Sequence, residues 1–403
     1  MKNIFSYYSK TSYFSLICIG LLALLYMFPE YRNRNLIMVD YEVFYKAAQR
    51  IFHGSNLYQI EADGHFVFKY SPTSSIYFLP FTLFPFNVSK IIYWIFLSLM
   101  FVTASFLSGK LYLSEIFRTN PKKYNTIILL AIASVGVHLQ RELTLGQVNW
   151  VLLVLFLWIV LAYVNKKQVR TSIIIATSVF IKPFGFIFLP YLIWKKKFKE
   201  LGYFILFSVI LLFLPLLFYS YAEYVSQFQA WINELTVELG NKQNIASPRI
   251  HTIFSVLIRY TPLYFLNIGS AGIIIYQFLV LILVGLISLW FFKMGKGLKF
   301  SEVENFAFMI AIIPLFAATN EDAYLFLFPV IVINFRDFHL MSFIEKTILI
   351  VAVIFQGANI WEIWGPKLFE TFLDLSMVTI GAILIVGILF RVRFKKMLQL
   401  KNA

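Results

Sequence analysis

Cysteine and charge are both scarce in this chain, and each scarcity narrows its class. The single cysteine, Cys18, cannot form an internal disulfide. No Cys/His cluster has metal-ligand spacing, and no Asp-x-Asp pair or carboxylate cluster calls for a divalent ion. Neither a metal nor a cofactor is therefore expected. No Gly-x-Gly-x-x-Gly follows a strand-like run, which excludes the usual nucleotide-sugar fingerprint. No internal repeat is evident, which disfavours an inverted-repeat transporter. Charged residues make up 14% of the chain, against about a quarter in soluble domains.

What the sequence has in quantity is apolar surface. Sixty per cent of its 403 residues are hydrophobic and its mean hydropathy is +0.77. Apolar stretches of roughly 17–25 residues recur along its length, each long enough to cross ~30 Å of hydrocarbon. Lipid offers the backbone no hydrogen-bond partners, so such stretches must be helices. The expected fold is an all-α polytopic membrane protein with about 10–12 transmembrane helices. Spans are expected near residues 12–29, 89–109, 124–139, 147–164, 201–221, 272–292, 303–318, 323–335, 346–361 and 373–390. Residues 1–403 read as one integral domain, with loops 30–88 and 222–271 as a lid. The start is basic (Lys2, Lys10) and no small-residue cleavage site follows residue 28, so a retained helix is expected rather than a signal peptide.

The net charge of +15 raises the question of nucleic acid, but its placement answers with topology. Basic residues cluster in short loops: Lys122-Lys123, Lys166-Lys167, Lys195-Lys196-Lys197, Lys293 to Lys299, and Arg391 to Lys396. Such loops mark the cytoplasmic side. Both termini are placed there, and loops 30–88, 140–146, 222–271, 319–322 and 362–372 outside. Under that threading 23 Lys/Arg and 6 Asp/Glu fall inside, 11 Lys/Arg and 14 Asp/Glu outside, and Lys182 within the membrane. No nucleic-acid partner is expected. The threading requires segment 171–194 to turn back, and Lys182-Pro183 supplies the break, because proline removes a backbone donor.

Asp40 leads the external loop and is the first candidate for chemistry. A carboxylate where a span leaves the bilayer meets lipid and water at once; it also suits a helix N-cap. Helical spacing turns Glu42 roughly 200° away from it. Phe44, Ala47, Ala48 and Ile51 share one helical face, as in a helix lying along the interface. Lys182 is the second candidate, since a lysine at membrane depth costs about 2.5–3.5 kcal/mol unless paired or functional. Snorkelling from a hairpin tip is its bland alternative.

Several short motifs recur in a suggestive order. Val39-Asp40-Tyr41 opens a helix, Gly54…Leu57-Tyr58 and Phe68-Lys69-Tyr70-Ser71-Pro72 follow, and Pro80 and Pro85 lie beyond. Gly146-Gln147-Val148-Asn149 opens the fourth span, and Lys182-Pro183 interrupts the next apolar segment. Asn241…Asn244…Ser247 precedes an apolar run at 252–266, and Asn320-Glu321-Asp322-Ala323-Tyr324 opens a late span. Over roughly residues 12–335 this order resembles glycosyltransferase family 87, membrane enzymes of the GT-C superfamily that include polyprenyl-phosphate-mannose-dependent α-mannosyltransferases. The resemblance implies a polyprenyl-phosphate sugar donor, a lipid or glycan acceptor, and inverting transfer on the outer face of the plasma membrane. It implies Asp40 as general base. Lys182, with Arg249, His251 and Arg141 behind it, would meet the donor phosphate. Tyr58, Tyr70, Gln147, Asn149, Asp322 and Glu321 would meet sugar or acceptor, and Trp231 would stack on a sugar face. Relatives often carry an Asp-His pair where this chain has Asp322-Ala323. Two alternatives stand beside this reading: a transporter or flippase of lipid-linked glycans, and a catalytically inactive assembly subunit.

Overall fold

A computed structural model of the chain describes residues 17, 20, 21, 38–241, 250–262, 270–316, 321–357, 359 and 361–402. The expected first span falls almost wholly outside these residues, as do Asn244, Ser247, Arg249 and Asn320. Among the described residues there are helices and no strands. The longer helices are α1 (Val39–Phe52), α2 (Phe86–Tyr112), α3 (Pro121–Ala133), α4 (Gly136–Leu145), α5 (Asn149–Val164), α6 (Gln168–Ile181) and α7 (Phe198–Phe213). They are followed by α8 (Tyr221–Asn241), α9 (Ile253–Tyr260), α10 (Ser270–Met294), α11 (Ser301–Phe316), α12 (Phe328–Arg336), α13 (Phe343–Gly357), α14 (Trp361–Asp374) and α15 (Met377–Asn402).

The protein is an all-α polytopic membrane protein. Among the described residues, Phe86–Tyr112, Phe198–Leu217, Ile274–Met294 and Met377–Asn402 are each long and apolar enough to cross a bilayer. A fifth crossing is available if α3 and α4, bent by 57° at their junction, act together. The remaining apolar helices are shorter, α5 and α6 among them. Two compact units are present: residues 1–107 with 140–243, and residues 108–139 with 244–403.

In the first unit, α1 packs the face its sequence periodicity marks. Tyr41, Phe44, Tyr45, Ala47, Ala48 and Ile51 are buried, while Glu42 and Lys46 pair across one turn at 2.8 Å on the exposed side. Tyr41 stacks on Tyr93 of α2 at 4.2 Å between centroids, and Phe44 stacks on Phe78 at 4.5 Å. Such aromatic pairs add about 0.5–1.5 kcal/mol beyond burial, which fixes α1 against the segment that follows it. Loop 53–72 is tied down by polar contacts that apolar periodicity does not reveal. Arg50 grips Asp63 through both guanidinium nitrogens, at 2.5 and 2.8 Å. Gln227 of α8 accepts the Leu57 N–H at 2.9 Å, and Tyr219 donates to the Ser55 carbonyl at 2.7 Å.

The break at Lys182-Pro183 is present. Helix α6 ends at Ile181, Lys182 is extended (φ −140°, ψ 141°), and a 3-10 turn runs from Pro183 to Phe188. At Gly185 an added Cβ would run into the Ser178 side chain and come within 3.2 Å of the Ile175 carbonyl. Contact with residues seven and ten positions earlier means that the chain has doubled back on α6.

In the second unit a buried ionic cluster replaces what reads as cytoplasmic loop charge. Glu304 of α11 accepts from Arg336 at 2.5 Å and Lys396 at 3.2 Å, and lies 3.5 Å from Arg393. Asp337 takes Arg336 at 2.7 Å and Lys396 at 2.6 Å. Arg393 is 1% exposed and also donates to Asn305 at 2.8 Å. The Arg391–Lys396 run is therefore not a loop: α15 continues through it, and its inward face is neutralised by two carboxylates.

Candidate active site

Three backbone features of the first unit bring the polar residues of the motifs together. The first is the start of α1. The helix begins at Val39, with Met38 at the cap in the left-handed region (φ 48°, ψ 51°), so Asp40 sits inside the first turn and does not cap it. A carboxylate there gains from the partial positive charge of the helix N-terminus. Asp40 is half-buried.

The second is the turn between α4 and α5. Gly146 closes α4 with φ 73°, donating to the Glu142 carbonyl at 2.9 Å. An added Cβ would meet the Tyr41 Cβ at 2.6 Å and the Met38 Cε at 3.0 Å. Only glycine satisfies both the dihedral and this approach. The Met38 N–H donates to the Thr144 carbonyl at 3.1 Å, fastening the same junction. The turn thus presses against the N-terminus of α1 and delivers Gln147 to Asp40.

The third is the break after α6. Ser71 caps the short helix Pro72–Ile76 and donates to the Phe180 carbonyl at 2.7 Å, which draws the Tyr70 segment beside Lys182. The Lys182 Nζ lies 5.7 Å from the Tyr70 ring centroid and 5.8 Å from that of Phe184. Both distances fit cation–π contact.

A continuous polar line results. Gln147 Nε2 donates to Asp40 Oδ2 at 2.7 Å, and Gln147 Oε1 accepts from Lys182 Nζ at 3.2 Å. Lys182 also donates to Asn149 Oδ1 at 2.9 Å. Asn149, at the first position of α5, directs its backbone N–H at 3.0 Å and its side-chain amide to the buried Glu142 carboxylate. The partners fix both amide orientations: each presents oxygen to the ammonium and nitrogen to a carboxylate. Asp40, Gln147, Lys182, Asn149 and Glu142 thus alternate carboxylate, amide, ammonium, amide and carboxylate.

Glu142 is the member that sequence reasoning left out of the site. Its available signal was a carboxylate next to Arg141, seven residues before Asn149. Tyr58 is 5% exposed and donates to the Tyr70 carbonyl at 2.7 Å. Burial pushes its phenol well above the usual range, so it stays a neutral donor holding the loop. Trp231 points its indole N–H at the Lys69 carbonyl, 3.4 Å away. Arg141 is half-buried in α4.

His251, Glu321 and Asp322 belong to the second unit. His251 Nε2 lies 3.6 Å from Glu321 Oε1, and all three side chains are buried. Tyr324 donates to the His251 carbonyl at 2.7 Å and meets Thr379 at 2.9 Å. Ala323 is wholly buried and part of the packing here. Arg249 lies outside the described residues.

The model of glycosyltransferase family 87 matches residues 68–320, more than half of the chain. The chain belongs to glycosyltransferase family 87. No curated protein matches it significantly. Gln147, Asn149 and Lys182 of the polar line lie inside the matched span, and Asp40 lies upstream of it. This family-87 protein is a membrane glycosyltransferase, and its polar line offers a carboxylate and a cation bridged by one amide.

Gln147 is the joint of that line. A hydrogen bond to a charged group contributes about 1.5–3 kcal/mol. Gln147→Leu, which removes one such bond to each charge, is expected to lower sugar transfer in membranes by about tenfold or more. Gln147→Glu, which sets a second carboxylate against Asp40, should lose more than Gln147→Leu. Equal activity of all three proteins would detach the amide from the reaction.

Proposed function

We propose that this glycosyltransferase moves a hexose, mannose being the model, from a polyprenyl-phosphate donor to a lipid or glycan acceptor outside the cytoplasm, with inversion. The observation that carries the reading is the Gln147 bridge between Asp40 and Lys182. It holds a base and a cation in one hydrogen-bonded line on a chain of this family.

In the proposed step the acceptor hydroxyl gives its proton to Asp40 as its oxygen attacks the anomeric carbon. The new glycosidic C–O bond forms while the bond from that carbon to the phosphate oxygen breaks. The electron pair leaves on the polyprenyl phosphate, and Lys182 stabilises that developing charge. Preorganised cations are effective here because they need no reorganisation as charge develops. Asn149 and Glu142 keep the ammonium in place. Tyr70 lines the same corner and is assigned to sugar contact, with Tyr58 supporting it from behind. Arg141, Arg249 and His251 are assigned to the donor phosphate, and Glu321 and Asp322 to sugar hydroxyls. Loops 30–88 and 222–271 form the lid, and the protein sits in the plasma membrane with both termini cytoplasmic.

The test is donor class. Purified protein in lipid nanodiscs is given radiolabelled polyprenyl-phosphate mannose or a labelled nucleotide mannose, with membrane-extracted glycolipid as acceptor. Label should move from the lipid-linked sugar alone. Transfer from the nucleotide sugar by protein free of any polyprenyl-phosphate sugar synthase would overturn the donor assignment.

A further inference from the structure

A second binding feature lies in the second unit, built from none of the residues of the polar line. Helices α3 and α13, with the end of α12, enclose an apolar groove of about 740 Å³, within the size range of small-ligand sites. Ile127, Leu130 and Ala133 of α3 form one wall, and Ile350, Val353 and Ile354 of α13 the other. Leu130 and Ile350 are exposed, so the groove opens sideways, where a membrane would supply hydrocarbon.

The two ends of the groove differ chemically. Lys123, His339 and Lys346 rim one end, and among the described residues no carboxylate lines the groove itself. Glu115, Glu304 and Asp337, which share a neighbouring pocket with Lys123 and His339, are paired with Lys299, Arg336 and Lys396. Lys346 Nζ lies 5.2 Å from the Phe338 ring centroid. The other end is closed where Gly357 touches the backbone of Ser134. From Lys346 to Gly357 the helix rises about 16 Å, at ~1.5 Å per residue. That is about half of the ~30 Å hydrocarbon thickness, or one leaflet.

We infer that this groove binds one anionic glycerophospholipid of the cytoplasmic leaflet, its acyl chain between α3 and α13 and its phosphate between Lys123, His339 and Lys346. Charge complementarity selects the headgroup: two lysines and a histidine donor, with no carboxylate among the described residues lining the groove, favour an anion. Length selects a diacyl lipid over a polyprenyl chain, which would overrun a site one leaflet deep. The basic rim selects the leaflet, because short Lys/Arg-rich ends face the cytoplasm. The inference is independent of the donor and of Asp40.

Native mass spectrometry of the full chain, delipidated in detergent, tests it with phosphatidylglycerol, phosphatidylcholine and undecaprenyl phosphate as probes. Phosphatidylglycerol should saturate at one copy per chain and bind well over fivefold tighter than phosphatidylcholine, because each lysine near an anionic headgroup is worth about fivefold. K123Q/K346Q, changed only at the rim, should lose that preference. A133W, which fills the groove and keeps both lysines, should lower phosphatidylglycerol occupancy. Equal binding of the two phospholipids, or a preference that survives K123Q/K346Q, would overturn the site. Stronger uptake of undecaprenyl phosphate would overturn the diacyl assignment. A dimer peak that A133W abolishes would give the groove to a second copy of the chain instead.

Discussion

Replacing Asp40 by asparagine is expected to lower sugar transfer by about 10²–10⁴-fold, the usual contribution of a general base. The change removes one ionisable oxygen and little else. Asparagine keeps an oxygen that accepts from Gln147 Nε2, now 2.7 Å from the carboxylate, and the α1 backbone is held independently by the Met38–Thr144 bond and the buried aromatic face. Protein yield and thermal unfolding should therefore match the wild type while turnover falls. Glu42→Gln is the matched control. Glu42 lies two residues on, pairs with Lys46 on the exposed side of the same helix, and should leave turnover within about twofold. The readout is label transfer from polyprenyl-phosphate mannose in membranes. Full activity in Asp40→Asn would end its assignment as base.

Glu304→Ala is the second large effect, and it acts on stability. Glu304 is 2% exposed and faces Arg336, Arg393 and Lys396. With Glu304 gone, Asp337 is the remaining carboxylate beside Arg336 and Lys396. Removing one partner of a buried ion pair costs about 3–5 kcal/mol, because the other charges stay desolvated without compensation. The variant should unfold at clearly lower temperature in detergent, followed by tryptophan fluorescence, and accumulate poorly in membranes. Lys299→Gln provides the contrast. Lys299 also contacts a carboxylate, that of Glu115, but their side chains are 73% and 54% exposed, so water replaces the partner at a cost near ~0–1 kcal/mol. Wild-type unfolding of Glu304→Ala would mean that water reaches the cluster.

The class of the protein was plain from composition, since runs of apolar residues this long have no stable place in a soluble fold. The buried face of α1 was plain as well: Phe44, Ala47, Ala48 and Ile51 repeat at helical spacing, and all four are buried. So was the break at Lys182-Pro183, because proline chemistry is local. The Asp40 cap was not resolved from sequence. Either Val39 or Asp40 can open a helix there, and the choice fell to Met38, whose left-handed conformation is fixed by contact with residues more than a hundred positions away. The Arg391–Lys396 run of α15 reads as a loop for the same reason. Lysines and arginines near a span's end look alike whether they meet water or a carboxylate on another helix.

Helices, membrane class, and the polar residues Asp40, Gln147, Asn149 and Lys182 at the ends of apolar segments can all be read along the chain. Local rules suffice for these, because backbone satisfaction in lipid and proline geometry depend on immediate neighbours. Which of those polar residues share a hydrogen-bonded line, and that Glu142 completes it, follows from the packing of separate helices. That outcome turns on Gly146, where a missing side chain lets the α4–α5 turn reach the start of α1. A sequence records the glycine, but the neighbour that requires it is set by contacts far apart along the chain.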